Sequence, residues 1–231
     1  MQIKGVEWVS WVDYPGQICT TVFYDGCNLR CPFCHNALLV WESTALPPVD
    51  QAELLKKLGE RRELVPAVCI SGGEPTLSSG LPDLVMNLKS LGLKIKLDTN
   101  GTRPKLLKKL LADGLLDYVA MDIKSPWDKY RQVVGTKVDV KAVQTSVKLL
   151  TTMAPAYEFR TTVVPGLLNE TDLLVMGQEL AGASKYVLQQ FRPVKPLLDP
   201  DLEQQQPFPK EFLQAVAAKL HNYVAEIEIR G

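Results

Sequence analysis

Short apolar runs rich in β-branched residues alternate along the chain with amphipathic segments. The apolar runs predict six strands, which lie at residues 18–24, 67–71, 93–99, 117–123, 157–164 and 185–191. The amphipathic segments predict helices at residues 50–64, 81–91, 104–113, 139–153 and 170–181. Asp50 is the expected N-cap of the first helix, with Glu53 as its capping-box partner. Strands that each feed a helix are typical of a parallel α/β sheet with right-handed crossovers.

The C-terminal part of the chain departs from this alternation. Residues 193–210 contain five prolines and three consecutive glutamines, which argue against regular structure. Residues 209–230 then predict a helix followed by a strand that extends the sheet or closes one edge. The pattern is that of a single α/β domain, residues 1–231, built as an incomplete (β/α)6 TIM-like barrel. Its core is expected at about 18–192, with 193–231 as a C-terminal helix and strand extension.

Composition limits the classes of partner and compartment. The chain has 26 Lys and Arg residues and 26 Asp and Glu residues, so its net charge is zero. It therefore has no overall positive charge that would favour binding of nucleic acid. The sequence contains no secretory signal and no apolar run long enough for a membrane span, which predicts a cytoplasmic protein without a membrane partner. Cys19 and Cys69 lie in strand-like runs and are expected to be buried free thiols. Tryptophans 8, 11, 41 and 127 are interpreted as core or edge packing, and His221 as structural or exposed.

Three cysteines form the most informative local pattern. Cys27, Cys31 and Cys34 follow the first predicted strand at the spacing CxxxCxxC, with no fourth cysteine nearby. Structural zinc and ordinary iron–sulfur sites use four protein ligands, so three thiolates indicate a site with one metal position left open. The alternative is a zinc site in which His35 or a distant cysteine supplies the fourth ligand.

The other polar motifs follow the predicted strands. SGGEP, DTNG, DIK, RTTVVPG and QQFRP stand at the ends of the second to sixth strands. In α/β barrels the reactive groups collect at the carboxyl ends of the strands, so these motifs are expected to converge with the cysteines. The glycine pair Gly72 and Gly73 lets backbone carbonyls approach a ligand and accept hydrogen bonds from an ammonium group.

The cysteine spacing, with aromatic Phe33 before the last cysteine, resembles the signature of the radical S-adenosylmethionine (radical SAM) superfamily. The resemblance implies that Cys27, Cys31 and Cys34 hold a [4Fe-4S] cluster whose fourth iron is chelated by S-adenosylmethionine. It also implies that one-electron reduction cleaves a carbon–sulfur bond to give a 5'-deoxyadenosyl radical. The cofactor then supplies the difficult chemistry and the protein positions it.

Further motifs resemble those of the pyruvate formate-lyase activating enzymes. The GGE run resembles the motif that binds the amino group of S-adenosylmethionine. DTNG and MDIK resemble segments that contact S-adenosylmethionine. The resemblance implies that Asp98, Thr99 and Asp122 in these segments could also ligate a cation. R-x-x-VVPG resembles a stretch that flanks adenine, and Arg192 falls where that group has a histidine. The resemblance thus implies these cofactor-binding residues: Phe33, His35, Gly72, Gly73, Glu74, Asp98, Thr99, Asp122, Lys124, Arg160, Val164 and Arg192.

The overall likeness is to the glycyl-radical-enzyme activating enzymes, above all the anaerobic ribonucleoside-triphosphate reductase activating group. It implies an activase that abstracts a glycine α-hydrogen from a partner glycyl radical enzyme, with flavodoxin or ferredoxin as electron donor. One alternative is a radical enzyme that acts on a small molecule or peptide, such as a deazapurine precursor. Another, of a different class, is a non-catalytic zinc or iron–sulfur binding module.

Overall fold

A computed structural model describes residues 1–41 and 43–231 of the chain. Within these residues eight strands form one sheet in the order β1 to β8. The strands are β1 (Ile3–Ser10), β2 (Cys19–Tyr24), β3 (Ala67–Gly72), β4 (Lys94–Thr99), β5 (Tyr118–Asp122), β6 (Tyr157–Val163), β7 (Lys185–Gln190) and β8 (Glu226–Arg230). β1 pairs antiparallel with β2, and every later neighbour pairs parallel. All six predicted strands are confirmed, and the predicted C-terminal strand extends the sheet beside β7.

Helices connect the parallel strands, as the amphipathic pattern predicts. They are α1 (Ala37–Trp41), α2 (Gln51–Arg61), α3 (Leu81–Ser90), α4 (Pro104–Ala112), α5 (Tyr130–Val133), α6 (Val140–Met153), α7 (Glu170–Glu179) and α8 (Lys210–Leu220). Short 3-10 turns occupy Ser43–Ala45, Pro75–Leu77 and Pro200–Gln204. Asp50 caps α2 as predicted, since its side chain accepts from the backbone nitrogen of Glu53.

The sheet curves as a barrel but does not close. Among the described residues β1 pairs only with β2, and β8 pairs only with β7, so the two edges remain apart. The sequence pattern does not predict β1, because only its terminal residues Ile3 and Ser10 are buried and two register shifts interrupt its ladder. An edge strand of this kind lacks the continuous apolar run that identifies the inner strands.

The alternation of side chains in β4 shows how the sheet separates an apolar layer from a polar interior. Ile95 and Leu97 join the main apolar core under the helices. Lys96 and Asp98 project from the other face, where their side chains form an ion pair. The barrel interior therefore contains buried charged side chains, and Asp98 lies next to the last residue of β4, near the carboxyl end of the strand.

Several smaller expectations can be compared with the structure. Cys19 and Cys69 are fully buried free thiols, and His221 is exposed, as predicted. The packing interpretation is wrong for Trp11 and Trp41, which are 73% and 66% exposed; neither lies on a face that another element covers. In the part of the chain that is described, no helix is both long enough and apolar enough to cross a membrane.

Candidate active site

The carboxyl ends of the strands surround one cavity of about 360 Å³. The cysteine loop after β2 forms one wall, and the ends of β3 to β7 form the rest. The following predicted site residues line it: Cys27, Cys31, Phe33, Cys34, His35, Gly72, Gly73, Asp98, Thr99, Asp122, Lys124 and Arg160. Residues that are far apart in the sequence thus meet at one place, as expected for the catalytic end of an α/β barrel.

The cysteine loop is fixed by backbone hydrogen bonds to distant segments. The nitrogen of Arg30 donates to the carbonyl of Val134, and the nitrogen of Asp199 donates to the carbonyl of Pro32. Asp199 belongs to the proline-rich stretch 193–210, so this stretch helps to hold the loop. The three thiols are therefore presented to the cavity by a fixed backbone.

Burial raises the pKa of all three cavity thiols, and that of Cys31 to about 12. The nearby Lys124 ammonium opposes this effect at each of them. Without a metal the thiols are therefore protonated at neutral pH. Metal ligands must be deprotonated, so loading of this site releases protons and becomes weaker as the pH falls.

One ring nitrogen of His35 is engaged by the backbone. Its Nε2 atom lies 2.9 Å from the backbone carbonyl oxygen of Arg192, so Nδ1 is the only ring nitrogen left that could bind a metal. Across the described ranges, no three His, Cys, Asp or Glu side chains are grouped so that they could hold a single metal ion. The donor set is three soft sulfur atoms, which fits an iron–sulfur cluster with one iron open to another ligand.

The glycine pair after β3 packs directly on the backbone of the cysteine loop. A Cβ added at Gly73 would lie 1.8 Å from the carbonyl oxygen of Gly26. Gly72 has a φ of +112°, and the side-chain amide of Asn36 donates to its carbonyl oxygen at 2.6 Å. Glycine is thus required for close approach of the two loops as well as for backbone conformation.

We expect Gly73→Ala to lower the free energy of unfolding by about 2 kcal/mol, the usual cost of overpacking a tight contact. Urea unfolding of the apoprotein measures this effect. The matched control is Gly80→Ala, because Gly80 has a negative φ and a Cβ there would approach nothing closer than 3.9 Å. Equal stability of the two variants would contradict the proposed packing.

Glu74 lies behind the cavity wall, although it was predicted to bind the cofactor. It is completely buried, and its carboxylate accepts hydrogen bonds from the Thr76 nitrogen and hydroxyl, the Thr99 hydroxyl and the Asn100 nitrogen. Burial raises the pKa of Glu74, and these hydrogen bonds oppose the rise. Glu74 therefore joins the glycine loop after β3 to the end of β4.

Glu74→Gln should lower the free energy of unfolding by about 1–3 kcal/mol, because an amide NH2 group would then face a backbone or hydroxyl donor. Thermal or urea unfolding would report the loss. Glu53→Gln, on the exposed side of α2, is the control and should cost no more than about 0.5 kcal/mol, because it removes only an exposed ion pair with Lys57. A stable Glu74→Gln variant would show that the carboxylate does not hold the two loops together.

A buried ion network lines another part of the cavity wall. Arg160 donates to Asp122 at 2.9 Å and to Asp98 at 3.3 Å, while Lys96 pairs with Asp98 and Lys124 with Asp122. Burial would raise the pKa of Asp122, but the charges of Arg160 and Lys124 outweigh it and hold this pKa at about 2. The pKa of Asp98 is lowered in the same way by Arg160 and Lys96.

These ion pairs involve both carboxylates of the predicted cation site. Asp98 and Asp122 already face Lys96, Lys124 and Arg160, so their carboxylates are neutralised by the protein's own cations. The Thr99 hydroxyl donates to Glu74. The arrangement gives the prediction of a cation at Asp98, Thr99 and Asp122 no support.

Besides Glu74, two more predicted residues lie away from the cavity lining. Val164 is fully buried in the apolar core, and the side chain of Arg192 is exposed, with only its carbonyl bonded to His35. Sequence reasoning did not assign Asn36, Thr162 or Gln189, which do line the cavity. Thr162 could have been found, because it lies two residues beyond Arg160 in β6 and so faces the same side.

One family model and several known proteins are similar to this chain. A model of the radical SAM superfamily matches residues 21–174. A protein of Methanocaldococcus jannaschii, provisionally named a glycyl-radical enzyme activating enzyme, is 30% identical over 99% of this chain and 95% of its own length. The pyruvate formate-lyase-activating enzyme of Clostridium pasteurianum is 34% identical over 58% of this chain and 57% of its own. The 7-carboxy-7-deazaguanine synthase of Hyperthermus butylicus is 42% identical, but only over 34% of this chain and 33% of its own.

The fold is similar to that of solved structures. Streptococcus suis SuiB bound to the precursor peptide SuiA superposes with a TM-score of 0.72 at 13% identity. The superposition covers 91% of this chain and 48% of the SuiB chain. The chain therefore corresponds to about half of that protein, and the likeness shows the shared barrel-like fold.

Proposed function

Since this chain belongs to the radical SAM superfamily, we propose that it is the activating enzyme of a glycyl radical enzyme. The observation that carries the proposal is the end-to-end match to the provisionally named activating enzyme, which covers nearly the whole of both chains. By itself the superfamily match makes the chain a radical SAM enzyme, and so favours catalysis over a zinc-binding module.

The residues present fit the cofactors that the superfamily implies. Cys27, Cys31 and Cys34 would hold the [4Fe-4S] cluster, since they offer three sulfur donors to one cavity. S-adenosylmethionine would bind beside them, where the glycine loop, Asp122 and Lys124 line the same cavity. Together these cofactors would supply, on one-electron reduction, the radical chemistry that removes a hydrogen atom from the substrate.

The protein's own residues then position the cofactors and limit access of water. Carbonyl groups at Gly72 and Gly73 are suited to accept from the amino group of S-adenosylmethionine. The ion pairs of Arg160 hold the two carboxylates at the strand ends, and we expect them to stay in place during the reaction. No general base is needed, because a hydrogen atom rather than a proton is transferred.

The substrate in this proposal is a backbone glycine of a partner protein, with anaerobic ribonucleotide reductase as the first candidate. Electrons would come from a flavodoxin or ferredoxin. The chain's two remaining cysteines, Cys19 and Cys69, are buried in β2 and β3 and cannot supply a second cluster. The proposal therefore includes an external electron donor.

The test is to mix the reconstituted, reduced enzyme and S-adenosylmethionine with the candidate reductase and record the electron paramagnetic resonance (EPR) spectrum. A glycyl radical doublet is expected, which should vanish when the partner's target glycine is replaced by alanine. The activase proposal would be overturned if the enzyme cleaves S-adenosylmethionine but gives no doublet with any glycyl radical enzyme of the same organism.

A second candidate function is modification of a small molecule, favoured by the local likeness to 7-carboxy-7-deazaguanine synthase. That similarity covers about a third of the chain, against nearly all of it for the activating enzyme. Release of 5'-deoxyadenosine that depends on a deazapurine precursor and not on a protein would favour this second function.

A further inference from the structure

Asn100 makes a contact with the cysteine set that the cofactor-binding motifs do not describe. It follows β4 and is only 6% exposed. Its side-chain Nδ2 lies 3.8 Å from Cys27 Sγ and 2.9 Å from Asn28 Oδ1. One amide N–H therefore points at a sulfur that would bind the cluster, and the other is used within the loop.

The orientation of this amide is fixed by its other atom. Oδ1 of Asn100 accepts from the Thr102 backbone nitrogen at 3.0 Å and from the Thr102 hydroxyl at 2.7 Å. The Thr102 hydroxyl in turn accepts from Asn28 Nδ2 at 2.9 Å. A flipped amide would present NH2 to the Thr102 backbone N–H, which can only donate, and oxygen to both Asn28 Oδ1 and the sulfur. The closed ring of three side chains thus allows one amide orientation.

The backbone of Asn100 is held as firmly as its side chain. Its nitrogen donates to Glu74 Oε2 at 2.6 Å, in the fully buried carboxylate that joins the β3 and β4 loops. Cys27 Sγ also accepts from the Leu29 backbone nitrogen at 3.4 Å. Among residues 1–41 and 43–231, Asn100 is the only side chain that donates to any of the three cavity sulfurs.

We propose that Asn100 is a positioning residue that tunes the cluster, because its N–H stabilises the extra negative charge on Cys27 Sγ in the reduced state. Hydrogen bonds to cluster sulfurs are among the factors that set reduction potential, and a donor favours the more negatively charged form. The bond should therefore raise the potential and make the cluster easier to reduce. This inference rests on the proposed cluster site at the three cysteines, and it is independent of the substrate.

The experiment is an EPR-monitored redox titration of the reconstituted enzyme without S-adenosylmethionine. Asn100→Ala removes the donor and should lower the ratio of reduced to oxidised cluster at a fixed potential by about three- to tenfold. For a one-electron couple, a tenfold change corresponds to a fall of about 59 mV in the reduction potential. Asn100→Asp keeps the shape but places a carboxylate near the sulfur, so its potential should fall further. Iron and sulfide content measured on each variant establishes that a cluster is present.

Asn169→Ala is the matched control. Asn169 is also an asparagine with a hydrogen-bonded side chain, since its Oδ1 accepts from the Asp172 nitrogen at the start of α7, outside the cavity lining. Its loss should leave the potential unchanged. Equal potentials in wild type, Asn100→Ala and Asn100→Asp would overturn the role of Asn100, as would an equal fall in Asn169→Ala. Failure of the wild type to assemble any cluster would instead overturn the cluster site and this inference with it.

Discussion

Cys31→Ala is expected to abolish cluster assembly and cleavage of S-adenosylmethionine. Cys31 is the most buried of the three cavity cysteines, and the cavity lining holds no thiol beyond these three that could replace it. Loss of a residue that only orients a metal ligand typically costs 10- to 100-fold in affinity, so loss of a ligand should cost more than about 100-fold. Iron content and release of 5'-deoxyadenosine under dithionite measure both effects.

Cys19→Ala is the matched control. Cys19 is also a buried thiol, but it lies at the start of β2 beside Tyr14, Ala67 and Cys69, remote from the cysteine loop. The variant should lose about 1 kcal/mol of stability from the small cavity and keep its full iron content. Normal iron content in Cys31→Ala, or equal loss in both variants, would refute the assignment of the cluster to the CxxxCxxC loop.

Arg160→Met should destabilise the apoprotein by about 3 kcal/mol, because it leaves two buried carboxylates facing one another without their shared cation. Asp98 and Asp122 would keep only Lys96 and Lys124 respectively. Urea unfolding without cofactors isolates this effect from catalysis. Arg160→Lys should recover part of the loss, since an ammonium cannot bridge both carboxylates as the guanidinium does.

The same network predicts how the effect depends on pH. The pKa of Asp122 in the folded protein is about 2, below its ordinary value near 3.9. A carboxyl group whose pKa is lower in the folded than in the unfolded protein stabilises the fold at pH values above its unfolded-state pKa. This stabilisation is lost as the pH falls towards its folded-state pKa. The stability difference between wild type and Arg160→Met should therefore shrink as the pH falls from about 4 towards 2. A difference that stays constant over this range would show that the loss comes from packing rather than charge.

The parts of the fold that the sequence predicts are those in which burial imposes a pattern. The inner strands are covered on both faces and show apolar runs, so their number and the motifs at their ends could be derived. The edge strand β1 is half exposed and gives no such signal. The sequence likewise places the three cysteines together but cannot show which way a side chain points.

Glu74 and Asn100 illustrate this limit. Glu74 follows the glycine pair, yet it turns behind the cavity because four donors from two loops meet its carboxylate there. Asn100 is part of the DTNG motif, but its bond to Cys27 depends on a ring with Asn28 and Thr102 that forms only after folding. Interactions between distant loops are set by tertiary packing, which a single sequence does not reveal.

The most direct test of the central claim is the EPR spectrum of the anaerobically reconstituted, dithionite-reduced protein, recorded with and without S-adenosylmethionine while 5'-deoxyadenosine is assayed. If the three cysteines hold a [4Fe-4S] cluster and S-adenosylmethionine binds beside it, the cluster signal should change on addition and 5'-deoxyadenosine should be released. A protein that binds zinc without a cluster, or a cluster signal that S-adenosylmethionine leaves unchanged with no 5'-deoxyadenosine formed, would contradict the account.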